Sequence, residues 1–319
     1  VSIIMLTERV QDARERRLII MIYTVTLNPA LDYVIQTSHF RTGQINRNTS
    51  EHIYFGGKGI NVSCVLKELG TESTAAGFIA GFTGRALRDG LAGMQIRTDF
   101  IEVCEGMTRI NVKIRSDDET EINGMGPVIT DADLRELMDH LTKSGPGDTL
   151  VISGSIPSCL SSRTYEQILE MIDPEVRLVV DAEKDLLLNI LRFRPFLIKP
   201  NHIELGQMFG TVLNTKEEII AHARKLQELG ARNVLVSMAA DGALLVDEND
   251  CVYEQKAARG TVVNSVGAGD SMVAGFLAGY LKTGSCEYAL KLGTACGGAT
   301  AFHSGLASRE QIEEVLAQL

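Results

Sequence analysis

The sequence predicts an α/β protein with one large, mostly parallel sheet covered by helices on both faces, and a small second sheet outside the main core. Three observations carry this prediction. Past residue 130, short apolar runs alternate with helical patterns, the order expected of parallel strands joined by helices. In the N-terminal half, two polar and irregularly alternating regions, 33–55 and 98–124, stand apart from that order and supply the strands of the small sheet. Hydrophobic residues make up 45% of the 319 residues and charged residues 23%, a composition that buries one large core.

The elements follow in chain order. Residues 1–20 mix Arg9, Arg14, Arg16 and Arg17 with Glu8, Asp12 and Glu15. They lack the small-residue cleavage site of a signal peptide and run straight into a strand, so they are read as an extension that need not be native, with Met21 as a natural start and the folded domain at 21–319. The first strand is Ile22-Tyr23-Thr24-Val25-Thr26-Leu27, which Pro29 ends because proline cannot donate to a ladder. Gly56-Gly57 closes the first irregular region. The helix after it places Val62, Val65, Leu66 and Leu69 on one face and runs to Gly70.

In the second irregular region Ile110, Val112 and Ile114 alternate with polar residues, as on a half-buried strand. Buried strands follow at Leu150-Val151-Ile152, Leu178-Val179-Val180, Phe196-Leu197-Ile198 and Val234-Leu235-Val236. Ile219, Ala223, Leu226 and Leu229 recur at helical spacing, and Gly230 closes that helix. The stretch 261–276 reads as strand, glycine turn and helix, with Met272, Val273, Phe276, Leu277, Tyr280 and Leu281 on the helix's apolar face.

Charge and motif content exclude several classes of function. With 41 acidic and 31 basic residues the net charge is −10, which gives no general attraction to nucleic acid or to an acidic membrane. No apolar run approaches the roughly 18 residues of a membrane helix. Cys64, Cys104, Cys159, Cys251, Cys286 and Cys296 are widely spaced and form no C-x-x-C pair, as expected of reduced thiols in a cytoplasmic protein. His-Glu-x-x-His and Gly-x-Ser-x-Gly are both absent.

The turn Gly267-Ala268-Gly269-Asp270 carries the most chemistry. Glycines at a helix start let backbone N–H groups approach an anion, and the helix end adds partial positive charge, so the turn suits a transferring phosphoryl group. Asp270 beside it can accept the proton of an attacking hydroxyl. An isolated Gly-x-Gly-Asp reads more readily as an N-cap carboxylate, and the longer strand–turn–helix context reverses this in favour of the catalytic reading. In Gly56-Gly57-Lys58-Gly59-Ile60-Asn61, Lys58 offers a cation and Asn61 an amide that gives and accepts hydrogen bonds, fitting a phosphorylated polyol. Arg109 offers a bidentate phosphate contact. Asn201 and Glu204 follow a buried strand, at the carboxyl edge where α/β sites gather, and Glu204 suits a magnesium ion held through water.

Taken together, Val266-Gly267-Ala268-Gly269-Asp270-Ser271, Gly56-Gly57-Lys58-Gly59-Ile60-Asn61-Val62 and Thr24-Val25-Thr26-Leu27-Asn28-Pro29-Ala30-Leu31-Asp32 resemble the ribokinase-like carbohydrate kinases, in their phosphofructokinase-B branch, from about Met21 to the C-terminus. The resemblance implies an α/β/α sandwich with a small β-sheet lid, ATP and magnesium as cofactors with room for a monovalent cation, and a homodimer paired through the lids. It further implies Asp32 and Gly57 on the sugar, with Ser237, Gly242, Gly267 and Gly269 near the nucleotide. One departure is Ala239, where the family usually has glycine. The run 108–113 is most similar to members that convert fructose 1-phosphate to fructose 1,6-bisphosphate. Tagatose 6-phosphate is the alternative substrate, and a sugar-phosphate-binding protein without turnover is the alternative of another class.

Overall fold

The computed structural model describes residues 20–182 and 184–319, so all but the last residue of the expected 1–20 extension lies outside the described residues. Among these residues the main sheet has nine strands. In spatial order they are β13 (Val252–Gln255), β12 (Ala243–Val246), β11 (Asn233–Ser237), β10 (Leu197–Ile198), β9 (Arg177–Asp181), β8 (Thr149–Ser153), β1 (Ile22–Thr26), β4 (Thr74–Ala80) and β5 (Arg97–Val103). Neighbours from β11 across to β5 pair in parallel, and β12 and β13 add an antiparallel edge. The second sheet has the order β3 (Asn48–Gly56), β2 (Ala30–Thr37), β6 (Arg109–Arg115), β7 (Glu119–Ile122).

The irregular region 98–124 therefore divides between the sheets. Residues 97–103 pair in parallel with β4 as an edge strand of the main sheet, and only β6 and β7 join the small one. Polar residues on β5 hid its membership: one face of an edge strand stays wet, so its pattern alternates like that of a lid strand.

Helices cover both faces. On one side α3 (Asp131–Leu141), α4 (Thr164–Met171), α5 (Lys184–Ile190), α6 (His202–Met208) and α7 (Lys216–Glu228) bury Leu137, Ile168, Ile190, Leu205 and Leu226 against Val25, Ile152, Val180, Ile198 and Val236. On the other side α1 (Lys58–Glu68), α8 (Ala268–Thr283), α9 (Cys286–Ala301) and α10 (Arg309–Leu316) pack on Ile22, Val151, Val179, Leu197 and Leu235. α2 (Gly81–Gly93) closes a third cluster with Leu31, Ile60 and Ile79 beneath the small sheet.

Strand periodicity now places the polar residues. Side chains two residues apart share a face. Counting on from Ile22, Val151, Val179, Leu197 and Leu235, that face reaches Thr26, Ser153, Asp181, Lys199 and Ser237 at the carboxyl edge of the sheet. This is also the edge where α1 and α8 begin.

Candidate active site

α8 starts at Gly267, whose φ of 82° places it in the left-handed region that glycine occupies without steric cost. Ser271 ties the turn down: its Oγ donates to the Gly267 carbonyl at 2.8 Å and also lies 2.8 Å from Thr300 Oγ1 on α9. Asp270, in the first turn of α8, is buried. It does not cap the helix, because no side chain caps the start of α8. Instead its Oδ2 accepts a 2.8 Å hydrogen bond from Asn61 Nδ2 on α1. The Asn61 N–H in turn bonds the Gly57 carbonyl at 2.8 Å, closing the first turn of α1. Both helices that meet here begin at glycines without a side-chain cap, whereas α3, α6, α7 and α10 begin with capping boxes. The Ala268 N–H of α8 donates to the Ser265 carbonyl at 3.2 Å, and the remaining first-turn N–H groups of α1 and α8 are left for a ligand.

Four charges meet at this edge. Asp181 Oδ2 lies 3.5 Å from Lys58 Nζ, and its Oδ1 lies 3.6 Å from Lys199 Nζ. Lys199 also borders the glycine turn, since a Cβ on Gly269 would stand 3.1 Å from its Nζ. Burial alone would raise the Asp181 carboxyl, yet Lys199 and Lys58 hold it below the usual range. Asp270 behaves in the opposite way. Burial, reinforced by the Asp181 charge, pushes it up to about 7 against the pull of Asn61, Lys58 and Lys199. Two neighbouring carboxylates are therefore driven apart, one held ionised and one poised near neutral pH, a pattern that separates an electrostatic group from a general base.

The small sheet contributes a second cluster. Asp32 on β2 pairs in register with Tyr54 on β3 and Asn111 on β6. Its Oδ1 accepts from Asn111 Nδ2 at 2.8 Å, and its Oδ2 lies 3.8 Å from the buried Lys113 Nζ. The carboxylate rests on Gly56, where a Cβ would come within 2.7 Å of Oδ2. Arg109, at the start of β6, donates from Nε to the Asn28 carbonyl at 3.1 Å. Burial lowers its pKa, partly offset by Asp32.

At the β10–β11 end, Asn201 caps α6. Its Oδ1 accepts the Glu204 N–H at 2.8 Å, and Glu204 Oε2 accepts the Asn201 N–H at 2.8 Å. One carboxylate oxygen of Glu204 is thus committed to the cap. Asn201 bridges in parallel to Ser237. Beyond Ser237 the chain turns through Ala239 at φ 50°, and the Met238 N–H bonds the Gly242 carbonyl at 2.8 Å.

The structure thus joins Asn61 and Asp270 directly, brings Lys58 to the same edge through Asp181, places Asp32 and Arg109 on the small sheet, and sets Asn201 beside Ser237. Sequence reasoning missed Asp181, Lys199, Asn111 and Lys113. The available signal was positional: Asp181 and Lys199 are the first polar residues after buried strands, and Asn111 and Lys113 form the polar face of an alternating strand.

A family model described as pfkB family carbohydrate kinase matches residues 25–312. The 1-phosphofructokinase of Bacillus subtilis is 47% identical over 300 residues, covering 94% of this chain and 98% of that protein. The D-tagatose-1-phosphate kinase of Bacillus licheniformis is 38% identical over 301 residues, covering 94% and 98%. Phosphofructokinase-2 from Escherichia coli in complex with fructose 6-phosphate has a TM-score of 0.85 at 27% identity, covering 94% of this chain and 99% of its own. That enzyme has also been solved with potassium and as an inhibited tetramer. Ribokinase from Thermotoga maritima shares the fold at a TM-score of 0.76 and 20% identity, covering 94% and 100%.

Proposed function

Because the chain belongs to the pfkB family of carbohydrate kinases, a group of phosphotransferases with alcohol acceptors, we propose that it transfers the γ-phosphoryl group of ATP to the 6-hydroxyl of fructose 1-phosphate. The observation that carries this reading is the buried Asp270 carboxylate, held by Asn61 at the uncapped head of α8 with Lys58 and Lys199 close by. The sugar's 6-hydroxyl attacks the γ-phosphorus, its O–H proton passes to Asp270 Oδ1, and the bond to the β,γ-bridging oxygen breaks to release ADP. In the Gly267-Ala268-Gly269 turn the Ala268 N–H holds the Ser265 carbonyl, and the N–H groups of Gly267 and Gly269, with Lys58, offset the charge of the transferring group. Asp32 and Asn111 hold sugar hydroxyls, while Gly57, Arg109 and Lys113 supply backbone and charge for the substrate.

Asn201, Ser237 and Gly242 flank the nucleotide in this reading. Glu204 fits a magnesium ion held through water. Its second carboxylate oxygen is not used by the α6 cap, and magnesium keeps most of its waters when one carboxylate and substrate phosphates bind it. Such an ion would offset charge on the nucleotide phosphates. A monovalent cation near the 267–270 turn is part of the same reading, supported by the potassium complex of the Escherichia coli relative. So is a homodimer through the small sheet, where Ile53 and Ile122 stand exposed in register with Tyr33 and Val112. A cytoplasmic setting agrees with six free cysteines.

A second reading is tagatose 1-phosphate, which the Bacillus licheniformis relative favours over the tagatose 6-phosphate expected from sequence. Fructose and tagatose 1-phosphates differ only in configuration at C4, so one site with the same base serves both. An ADP-release assay with magnesium-ATP comparing the 1- and 6-phosphates of fructose and tagatose, and free fructose, separates the readings. The highest kcat/KM is expected for fructose 1-phosphate. A higher value for tagatose 1-phosphate moves the assignment to the second reading, and a preference for either 6-phosphate overturns both.

A further inference from the structure

At the opposite edge of the main sheet, the carboxyl end of α1, the start of β4, the start of β5 and the head of α10 enclose a cavity of about 540 Å³. Its lining is charged and polar. Lys67, Arg97 and Arg309 face Glu72 as the one acidic lining residue. Lys67 has no ion-pair partner among the described residues. Arg97 pairs with Glu72 at 3.0 Å, but both are well exposed, and such a pair exchanges readily for a better acceptor. Arg309 is already oriented. Its Nε donates to the Glu68 carbonyl at 2.8 Å and its backbone N–H to Glu68 Oε2 at 2.9 Å, which leaves the Nη groups beside Gly70 at the cavity wall.

The floor supplies an independent observation. Ser63 and Ser73 line the cavity, and Ser63 Oγ lies 2.8 Å from Ser73 Oγ and 2.7 Å from Thr24 Oγ1. All three residues are buried. Ser73 donates to Ser63, and with Thr24 donating to Ser63 as well the Ser63 O–H is left without an acceptor among the described residues, a state buried donors seldom keep. A surplus of cations above a spare hydroxyl donor is complementary to an oxyanion. The partial negative charge at the end of α1, about half an elementary charge, is outweighed by the three cations.

We propose that this cavity binds a small phosphorylated metabolite, with the phosphate seated between Lys67, Arg97 and Arg309 and one oxygen accepting from the Ser63 hydroxyl of the floor. The site is separate from the transfer site. Lys58 and Asn61 belong to the first turn of α1 and Lys67 to its last, so they stand about 9 to 14 Å apart along one helix. The larger groove of about 690 Å³ makes the contrast, because Glu228, Glu248 and Asp250 line it beside Arg192, Arg194, Arg224 and Arg232, and three of those arginines are ion-paired.

Calorimetric titration with inorganic pyrophosphate, without magnesium, tests the site in protein carrying Lys58→Ala, which weakens anion binding at the transfer site. One site per chain is expected, with its affinity reduced at least tenfold when Lys67→Ala and Arg97→Ala are added. Both residues are exposed, and an unchanged melting temperature confirms the fold of the triple variant. Absence of binding in the Lys58→Ala protein, or an affinity indifferent to the two further substitutions, overturns the proposal and leaves the floor to ordered water.

Discussion

At the scale of single residues the account rests on Asp270. Burial and the charge of Asp181 push its carboxyl up to about 7, so the ionised base is scarce in acid. In the free enzyme kcat/KM is therefore expected to fall about tenfold per pH unit below about pH 7. Asn61→Ala removes a hydrogen bond that favours the ionised form, and moves that limb to higher pH. A limb unmoved by this substitution would detach the titration from Asp270. The same shift has a stability consequence. The folded pKa lies above the unfolded value of 3.8, so the native state binds the proton more tightly. The resulting destabilisation is absent below about pH 4, grows between pH 4 and 7, and is constant above. Asp270→Asn should thus melt higher than the parent at pH 8, by roughly 5 °C or more, with the difference gone near pH 4.

Ala239 is the other informative residue. It holds φ 50°, where a Cβ costs about 1 kcal/mol. Ala239→Gly should raise the melting temperature slightly, by at most about 1 °C net of the added chain entropy. A lower melting temperature would mean that the turn is not strained. The sequence identified this position as unusual, through its departure from the family's glycine. The left-handed backbone that gives the departure a cost is visible only in the structure.

At the scale of elements, the buried parallel strands and the helices bounded by glycine turns were legible, and the half-polar edge and lid strands were not. α7 and α8 announce themselves through 3.6-residue spacing and the glycines at their ends. β5 and β6 share a half-polar alternation, and which sheet each joins depends on pairing partners distant in sequence, which no local pattern contains. The same limit hid Asp181 and Lys199, since their meeting with Lys58 requires β9, β10 and α1 to be brought side by side. Turn glycines next to Lys58 and Asp270 were legible because short motifs concentrate their information locally.

Two substitutions on the small sheet test its role. Gly56→Ala places a methyl within 2.7 Å of the Asp32 carboxylate, and should raise KM for the sugar phosphate about tenfold while leaving KM for ATP within about twofold. Arg109→Ala should act in the same direction. Equal effects on both substrates would place these residues elsewhere in the mechanism.

For the whole molecule, the arrangement follows from one edge of one sheet. Alternation along β8, β9, β10 and β11 delivers Ser153, Asp181, Lys199 and Ser237 to the carboxyl edge, and α1 and α8 bring their uncapped starts to meet them. The small sheet then supplies Asp32 and Arg109 from outside the core. Its exposed Ile53 and Ile122 are expected to be covered in a dimer, so Ile53→Lys should shift the protein to a monomer in sedimentation while the main sheet keeps its melting transition. An unchanged sedimentation coefficient would rule out this face as the interface.

The central claim is that Asp270 takes the proton of the attacking hydroxyl. Its most direct test is steady-state turnover of Asp270→Asn with fructose 1-phosphate and magnesium-ATP. The account predicts a kcat lower by about 10² to 10⁴, with KM for the sugar phosphate within about threefold of the parent. A kcat reduced by less than tenfold would contradict it.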